Sequence, residues 1–242
     1  MKILYYIASI GGPDLEVKID ILIHNIKYIY NNINNKFDIM INCYEEDDMI
    51  IQNILNNIKQ INIINEFFIY KKKGVLTELF LTNPHNNILP NYDYILFILD
   101  DVKIINLNIP HMIELKKLHN IEIVSPKIIK SSHWFMNVYD NITINNFVEV
   151  YLLLLKPDEL NKFFSLHTLE NKWMWGVDLL FGYYNIRAGV INNYSAEHVL
   201  QSNSDKGEAN HLMTNYFKQK TSYNSIDEVW DIYQAIRQHI TI

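Results

Sequence analysis

One cysteine, Cys43, serves the whole 242-residue chain. A lone thiol excludes an internal disulfide and any zinc site built from several cysteines, and Cys43 has no evident histidine partner for nucleophilic chemistry. Basic charge is also in deficit: 21 Lys and Arg face 27 Asp and Glu, a net charge of −6. A nucleic-acid partner calls for a basic surplus, and the one basic cluster, Lys71-Lys72-Lys73, is short. Long apolar runs are missing as well. Those at 94–99 and 150–155 fall far below the ~20 residues of a membrane-spanning helix. The apolar opening, residues 1–6, is shorter than the core of a secretory leader. These absences predict a reduced, cytoplasmic protein with neither a nucleic-acid partner nor a membrane span. No Gly-, Pro- or Ser-rich linker divides the chain, and no repeat, P-loop, GxGxxG or GxSxG motif is present.

What is abundant is isoleucine (39) and asparagine (31). Both have AT-rich codons, a bias that fits a large DNA virus or an AT-rich microbe. The asparagines interleave with periodic isoleucines, unlike the unpatterned tracts that aggregate. With 49% hydrophobic and 20% charged residues, the chain is globular.

The first hundred residues alternate between strand and helix patterns. Strands are predicted at 2–8, Phe37–Cys43, 66–70 and 92–99. Helices are predicted along Val17, Ile21, Leu22, Asn25, Ile26 and Ile29, over 49–58 behind Asp47 or Asp48, and over 75–81. A β-α-β-α-β-α-β order implies a parallel sheet covered on both faces, with ligands at the carboxyl ends of its strands. Ser9-Ile10-Gly11-Gly12, Tyr44-Glu45, Lys73-Gly74 and Asp100-Asp101 wait there. In the second half, helices are expected at 109–119, 157–166 and 172–184. Strands or hairpins are expected at 121–126, 133–138, 147–155 and 188–193. Ser225 and Glu228 form a capping box opening a helix with the stripe Ile226, Val229, Trp230, Tyr233, Ile236 and Ile240. That stripe fits packing on its own core or on a second copy as a homodimer.

Four features carry chemistry. Asp100 and Asp101, at the end of a buried strand, repel each other and call for a positive partner. A divalent metal bridging phosphates is one answer; an Asp-capped turn is the other. Residues 173–178, WMWGVD, set two Trp that can stack on sugars beside a Gly and Asp178, a candidate general base or a helix N-terminal carboxylate. His198 is a candidate metal ligand or a structural histidine. One lysine of the 71–73 run can neutralise a pyrophosphate, or the run is a solvated turn.

Together these features resemble the GT-A class of nucleotide-sugar glycosyltransferases. YILFILDD takes the place of that class's DxD motif, although the acids are adjacent and Val102 follows. The run WMWGVDLLFGYYN, followed by AGVINNYSAEH, is similar to the W-G-hydrophobic-D…G-Y…H pattern of an uncharacterised glycosyltransferase family. Order and spacing also resemble small glycosyltransferases of large algal viruses. The resemblance implies a mainly parallel, Rossmann-like sheet flanked by helices, as a single domain over 1–204 with a helical extension at 205–242. Residues 1–102 would form the nucleotide-binding half and 103–204 the acceptor half. It implies Mn2+ or Mg2+ at Asp101 and His198, with Asp100 a ribose or metal contact. Ala8, Ser9, Tyr44 and Glu45 would hold the nucleoside of a UDP-sugar donor, Lys73 and Gly74 its phosphates, and Trp175 and Gly176 the sugar. Asp178 would deprotonate the hydroxyl of a carbohydrate acceptor in an inverting reaction, or sit beside the sugar in a retaining one. The rivals are a sugar nucleotidyltransferase, whose basic signature Ser9-Ile10-Gly11-Gly12-Pro13 lacks, and a non-catalytic binding protein of the same fold.

Overall fold

Eight consecutive residues, ILYYIASI, form an internal strand, β1 (Ile3–Ile10), and all are buried. Successive strand side chains point to opposite faces, so complete burial requires cover on both. Ile3, Tyr5 and Ile7 enter one core; Leu4, Tyr6 and Ala8 enter the other. β2 (Phe37–Cys43) and then β3 (Ile64–Lys71) lie parallel on one side of β1, and β4 (Tyr94–Ile98) lies parallel on the other. Three helices make the crossovers: α1 (Leu15–Ile33), α2 (Asp48–Lys59) and α3 (Leu76–Thr82). The first two supply Ile19, Leu22, Ile26, Ile51 and Ile54 to one core, while Phe80 of α3 enters the other. This computed structural model describes residues 1–44, 48–59, 61, 64–130, 141–144, 147–200, 206–223, 225, 227–228 and 238–240.

The second half turns the sheet mixed. After β5 (Val102–Asn106) and α4 (Ile109–Leu118) come β6 (Ile123–Ile129), β7 (Ile142–Ile144), β8 (Leu152–Leu155), α5 (Pro157–Leu166), β9 (Ala188–His198), α6 (Lys206–Lys220) and β10 (Gln238–Ile240). The order across the sheet is β10-β7-β9-β6-β8-β4-β1-β2-β3, with β5 also pairing with β9. β8 runs antiparallel to β4, so the strand direction reverses beside the acidic pair. Among the described residues, no helix is long and apolar enough to cross a membrane.

Several sequence expectations change. No helix spans 172–184; the chain closes in successive short turns around the 3-10 segment Asp178–Leu180. Bonds from Val177 N–H to Met174 O (3.3 Å) and from Leu180 N–H to Val177 O (3.1 Å) show the tighter winding, and Met174 sits at φ 61, outside right-handed helix geometry. The strand expected over 147–155 shrinks to β8, because Phe147 and Val148 leave the ladder to fill the second core. β9 runs past the expected end at 193 to His198, so His198 closes the strand. On α1 the buried stripe takes Lys18 and leaves Val17 40% exposed. Asp48 lies in the first turn of α2 and pairs with Lys71 at 2.7 Å. Ile240 lies in β10, not in a helix. The Glu228 N–H does bond Ser225 Oγ (3.3 Å), as a capping serine requires. The expected strand at 133–138, and Asp47, Ile226, Val229, Trp230, Tyr233 and Ile236, lie outside the described residues.

Candidate functional site

Because β1, β2, β3 and β4 are parallel, the segments following them share one edge of the sheet. On β1, Ala8 and Ser9 are buried, and the Ala8 carbonyl accepts from Asn42 Nδ2 at 3.0 Å. The turn that follows places Gly11 at φ 140 and Gly12 at φ 68, a path suited to glycine. A Cβ at Gly12 would lie 2.7 Å from the Tyr44 hydroxyl, so the turn fits closely against the residue after β2. Tyr44 Oη donates to the Gly11 carbonyl. Glu45 lies outside the described residues.

Lys18 joins these parts. Its ammonium donates to Gly11 O (2.8 Å) and Tyr44 Oη (3.1 Å) and pairs with Asp100 Oδ2 at 3.0 Å. Burial pushes the Asp100 carboxyl up to about 7; Lys18 opposes the rise and Asp101 adds to it. On Lys18 burial works against the charged form, but Asp100 and Tyr44 outweigh it and hold its pKa above the usual value.

The second carboxylate turns elsewhere. His198 Nε2 and Asp101 Oδ2 are 3.0 Å apart, although 97 residues separate them. The β5–β9 ladder produces this meeting by setting Val102 opposite His198; the Val199 N–H bonds the Asp101 carbonyl at 2.9 Å. Tyr151 stacks on the imidazole at 4.5 Å between centroids and 28° between planes. Burial disfavours charging of His198, but the Asp101 bond and charge outweigh it, with Glu149 adding to them, so its pKa is raised. The other Asp101 oxygen, Oδ1, is buried with no hydrogen-bond partner. An unsatisfied buried carboxylate oxygen is costly, and beside an imidazole it fits a divalent cation. Among the described residues no third His, Cys, Asp or Glu completes a cluster, so further ligands would come from phosphate or water.

Asp178 opens the 3-10 turn and bonds its own neighbour, Leu179 N–H, at 3.0 Å. Burial first, and then the negative charge of Glu149, push its carboxyl up to about 7. Around it, residues 171–176 are tied to the first half of the chain: the Thr77 hydroxyl of α3 donates to both Asn171 O and Lys172 O at 2.8 Å. Lys73 and Gly74, expected near phosphates, form the exposed turn before that helix. Trp175 is half-buried against the second core, and its carbonyl accepts from Asn171 Nδ2 at 3.0 Å.

Gly176 faces α6. A Cβ there would lie 2.6 Å from Phe217 Cζ and 2.8 Å from Met213 Cγ, and its φ is +80. Backbone strain and overpacking should together cost about 3 kcal/mol on Gly176→Ala, seen as a Tm lowered by about 6–12 °C in thermal denaturation. An unchanged Tm would show that α6 yields.

The structure thus brings Asp101 and His198 into contact and sets Asp100 against Lys18. It adds three residues that sequence reasoning passed over. Lys18 shares the helical spacing of Leu22 and Asn25, and Glu149, 2% exposed, interrupts an apolar run; both were legible as charges in buried patterns. Tyr151 carried no such mark.

No protein-family model matches the chain, and no curated protein does. Solved structures share its fold. Over 90% of its length the chain is similar to GalNAc-T7, crystallised with UDP, GalNAc and Mn2+, at TM-score 0.63 and 10% identity. Over 97% it is similar to S. aureus TarS 1-349 in complex with UDP, at TM-score 0.57 and 15% identity. It spans 48% of the GalNAc-T7 chain and 71% of the TarS 1-349 chain. These neighbours are GT-A glycosyltransferases, and at such identities the likeness is one of fold: this chain has the GT-A fold.

Proposed function

We propose that the protein is a metal-dependent glycosyltransferase that moves a sugar from a nucleotide-sugar, a UDP-sugar, to a hydroxyl of a carbohydrate acceptor. The observation that carries this reading is the convergence of Asp101 and His198 at 3.0 Å, with one carboxylate oxygen buried and unsatisfied. The fold supports it, as do the UDP in both similar structures and the Mn2+ in GalNAc-T7.

Asp101 and His198 would hold Mn2+ or Mg2+. A divalent cation there supplies Lewis-acid stabilisation of negative charge on the departing nucleoside diphosphate. Ala8, Ser9 and Tyr44 would frame the nucleoside end, and Lys73 and Gly74 would serve the phosphates at the same edge. Trp175 offers a ring face to a sugar. Asp178, held near neutrality, accepts the acceptor hydroxyl's proton; a base with a pKa near the working pH does so most effectively.

UDP at about 100 times its Kd stabilises by ~2.7 kcal/mol, a Tm rise of about 5–10 °C. We expect that rise with Mn2+ and none without it. No shift from any nucleoside diphosphate in the presence of Mn2+ would sink the reading. A screen for release of UDP or GDP from sugar donors separates the rivals. A binding protein shifts without turnover, and a nucleotidyltransferase consumes nucleoside triphosphate and sugar phosphate.

A further inference from the structure

Lys18 stands where α1 would ordinarily carry an apolar side chain, and its side chain is 11% exposed. An ammonium has three donors. Three acceptors from three separate segments meet it: Gly11 O after β1, Tyr44 Oη after β2, and Asp100 Oδ2 after β4. Placing a lysine in such a position is costly unless its charge is matched, and Asp100, 10% exposed, supplies the match. The adjacent acids are therefore treated differently. Each acid keeps one buried oxygen outside any hydrogen bond, Asp100 Oδ2 and Asp101 Oδ1, but Asp100 Oδ2 faces the Lys18 ammonium at 3.0 Å, whereas Asp101 is partnered through its other oxygen by the His198 imidazole. A divalent ion shared with Asp100 would have to approach that ammonium, and like charges a few ångströms apart repel strongly in a site shielded from water.

We propose that Lys18 is a built-in counter-cation that withdraws Asp100 from the metal site, leaves Asp101 and His198 as the protein's ligands, and fixes the nucleoside floor through Gly11 and Tyr44. This rests on the glycosyltransferase reading for the identity of the metal, but its test reads metal binding alone. Lys18 is a positioning residue; it acts through Asp100 and Tyr44. The two acids sit in the turn between β4 and β5, where one meets α1 and the other meets the end of β9.

The test titrates the whole protein with Mn2+ alone, following free Mn2+ by electron paramagnetic resonance. Asp101→Asn should weaken binding at least about tenfold, because cation affinity follows ligand charge. The double variant Lys18→Met/Asp100→Asn keeps the net charge of the pair and should bind within about twofold of wild type. Lys18→Met alone frees a carboxylate and should tighten binding about tenfold; circular dichroism checks that it folds, and the double variant decides the matter if it does not. If the double variant binds as weakly as Asp101→Asn, Asp100 is a ligand and the proposal is overturned with the enzymatic reading intact. A folded Lys18→Met that binds no tighter also overturns it. Wild type that takes up no Mn2+, alone or with UDP, overturns both.

Discussion

Asp178→Asn should lower the transfer rate about 10²- to 10⁴-fold, the range for loss of a general base, while UDP and Mn2+ still bind within about twofold of wild type. Steady-state and binding measurements on the same preparation separate the two. In the wild type the rate should climb as pH rises through about 7, where the Asp178 carboxyl gives up its proton. Glu149 adds negative charge beside it, and Tyr151 and Tyr216 also sense Asp178 but are uncharged at this pH. Glu149→Gln should therefore move the rising limb to lower pH. A rate flat across pH 6–8, or an Asn variant retaining most activity, would assign the proton transfer elsewhere.

The same carboxyl makes a stability prediction of definite sign. Its folded-state pKa, about 7, lies above the 3.8 of an ordinary aspartate. The folded protein therefore binds the proton more tightly than the unfolded chain does. That contribution is fully present below about pH 4 and lost as pH rises through about 7. Asn cannot charge, so the variant should melt above the wild type at pH 8, with the difference narrowing toward pH 4. Lost activity with gained stability is a pair of results that damage to the fold could not produce.

Asp101→Ala should abolish metal dependence. Lewis-acid stabilisation is worth several kcal/mol, so a loss of about 10³-fold in rate is expected at ~1.4 kcal/mol per decade. UDP should then give the same small thermal shift with and without Mn2+. His198→Ala should act through the same ion, and the two losses should not add in the double variant, since contacting residues couple. If Asp101→Ala keeps its Mn2+ response, the acidic pair has been read the wrong way round and Asp100 carries the metal. Additive losses would place His198 in a separate role.

Much of the chain's regular structure was legible because its signals are local. Phe37–Cys43 matches β2 at both ends, and α3, α4 and α5 lie within a residue or so of their expected spans. Buried strands and amphipathic helices announce themselves by periods of two and 3.6 residues. The stretch 172–184 misled because its apolar residues pack all round against the second core, so nothing in their spacing marks the tight turns. Helix α6, whose buried face is Ala209, Met213, Tyr216 and Phe217, was expected only as an undivided part of the helical extension, and the short β5, β7 and β10 escaped notice. Strands of three to five residues have too few positions to show a period.

The sequence by itself determined the alternating order of elements, the parallel half of the sheet and the edge where its loops gather. It also named Asp100, Asp101, Asp178 and His198 as candidates for chemistry. Only the tertiary structure decided how they are partnered. Antiparallel pairing of β5 with β9 sets Asp101 against His198, and helix α1 delivers Lys18 to Asp100. Periodicity reports which face of an element is buried, but not which distant charge lies across from it. That is decided by strand register and helix packing, which join residues far apart in the chain.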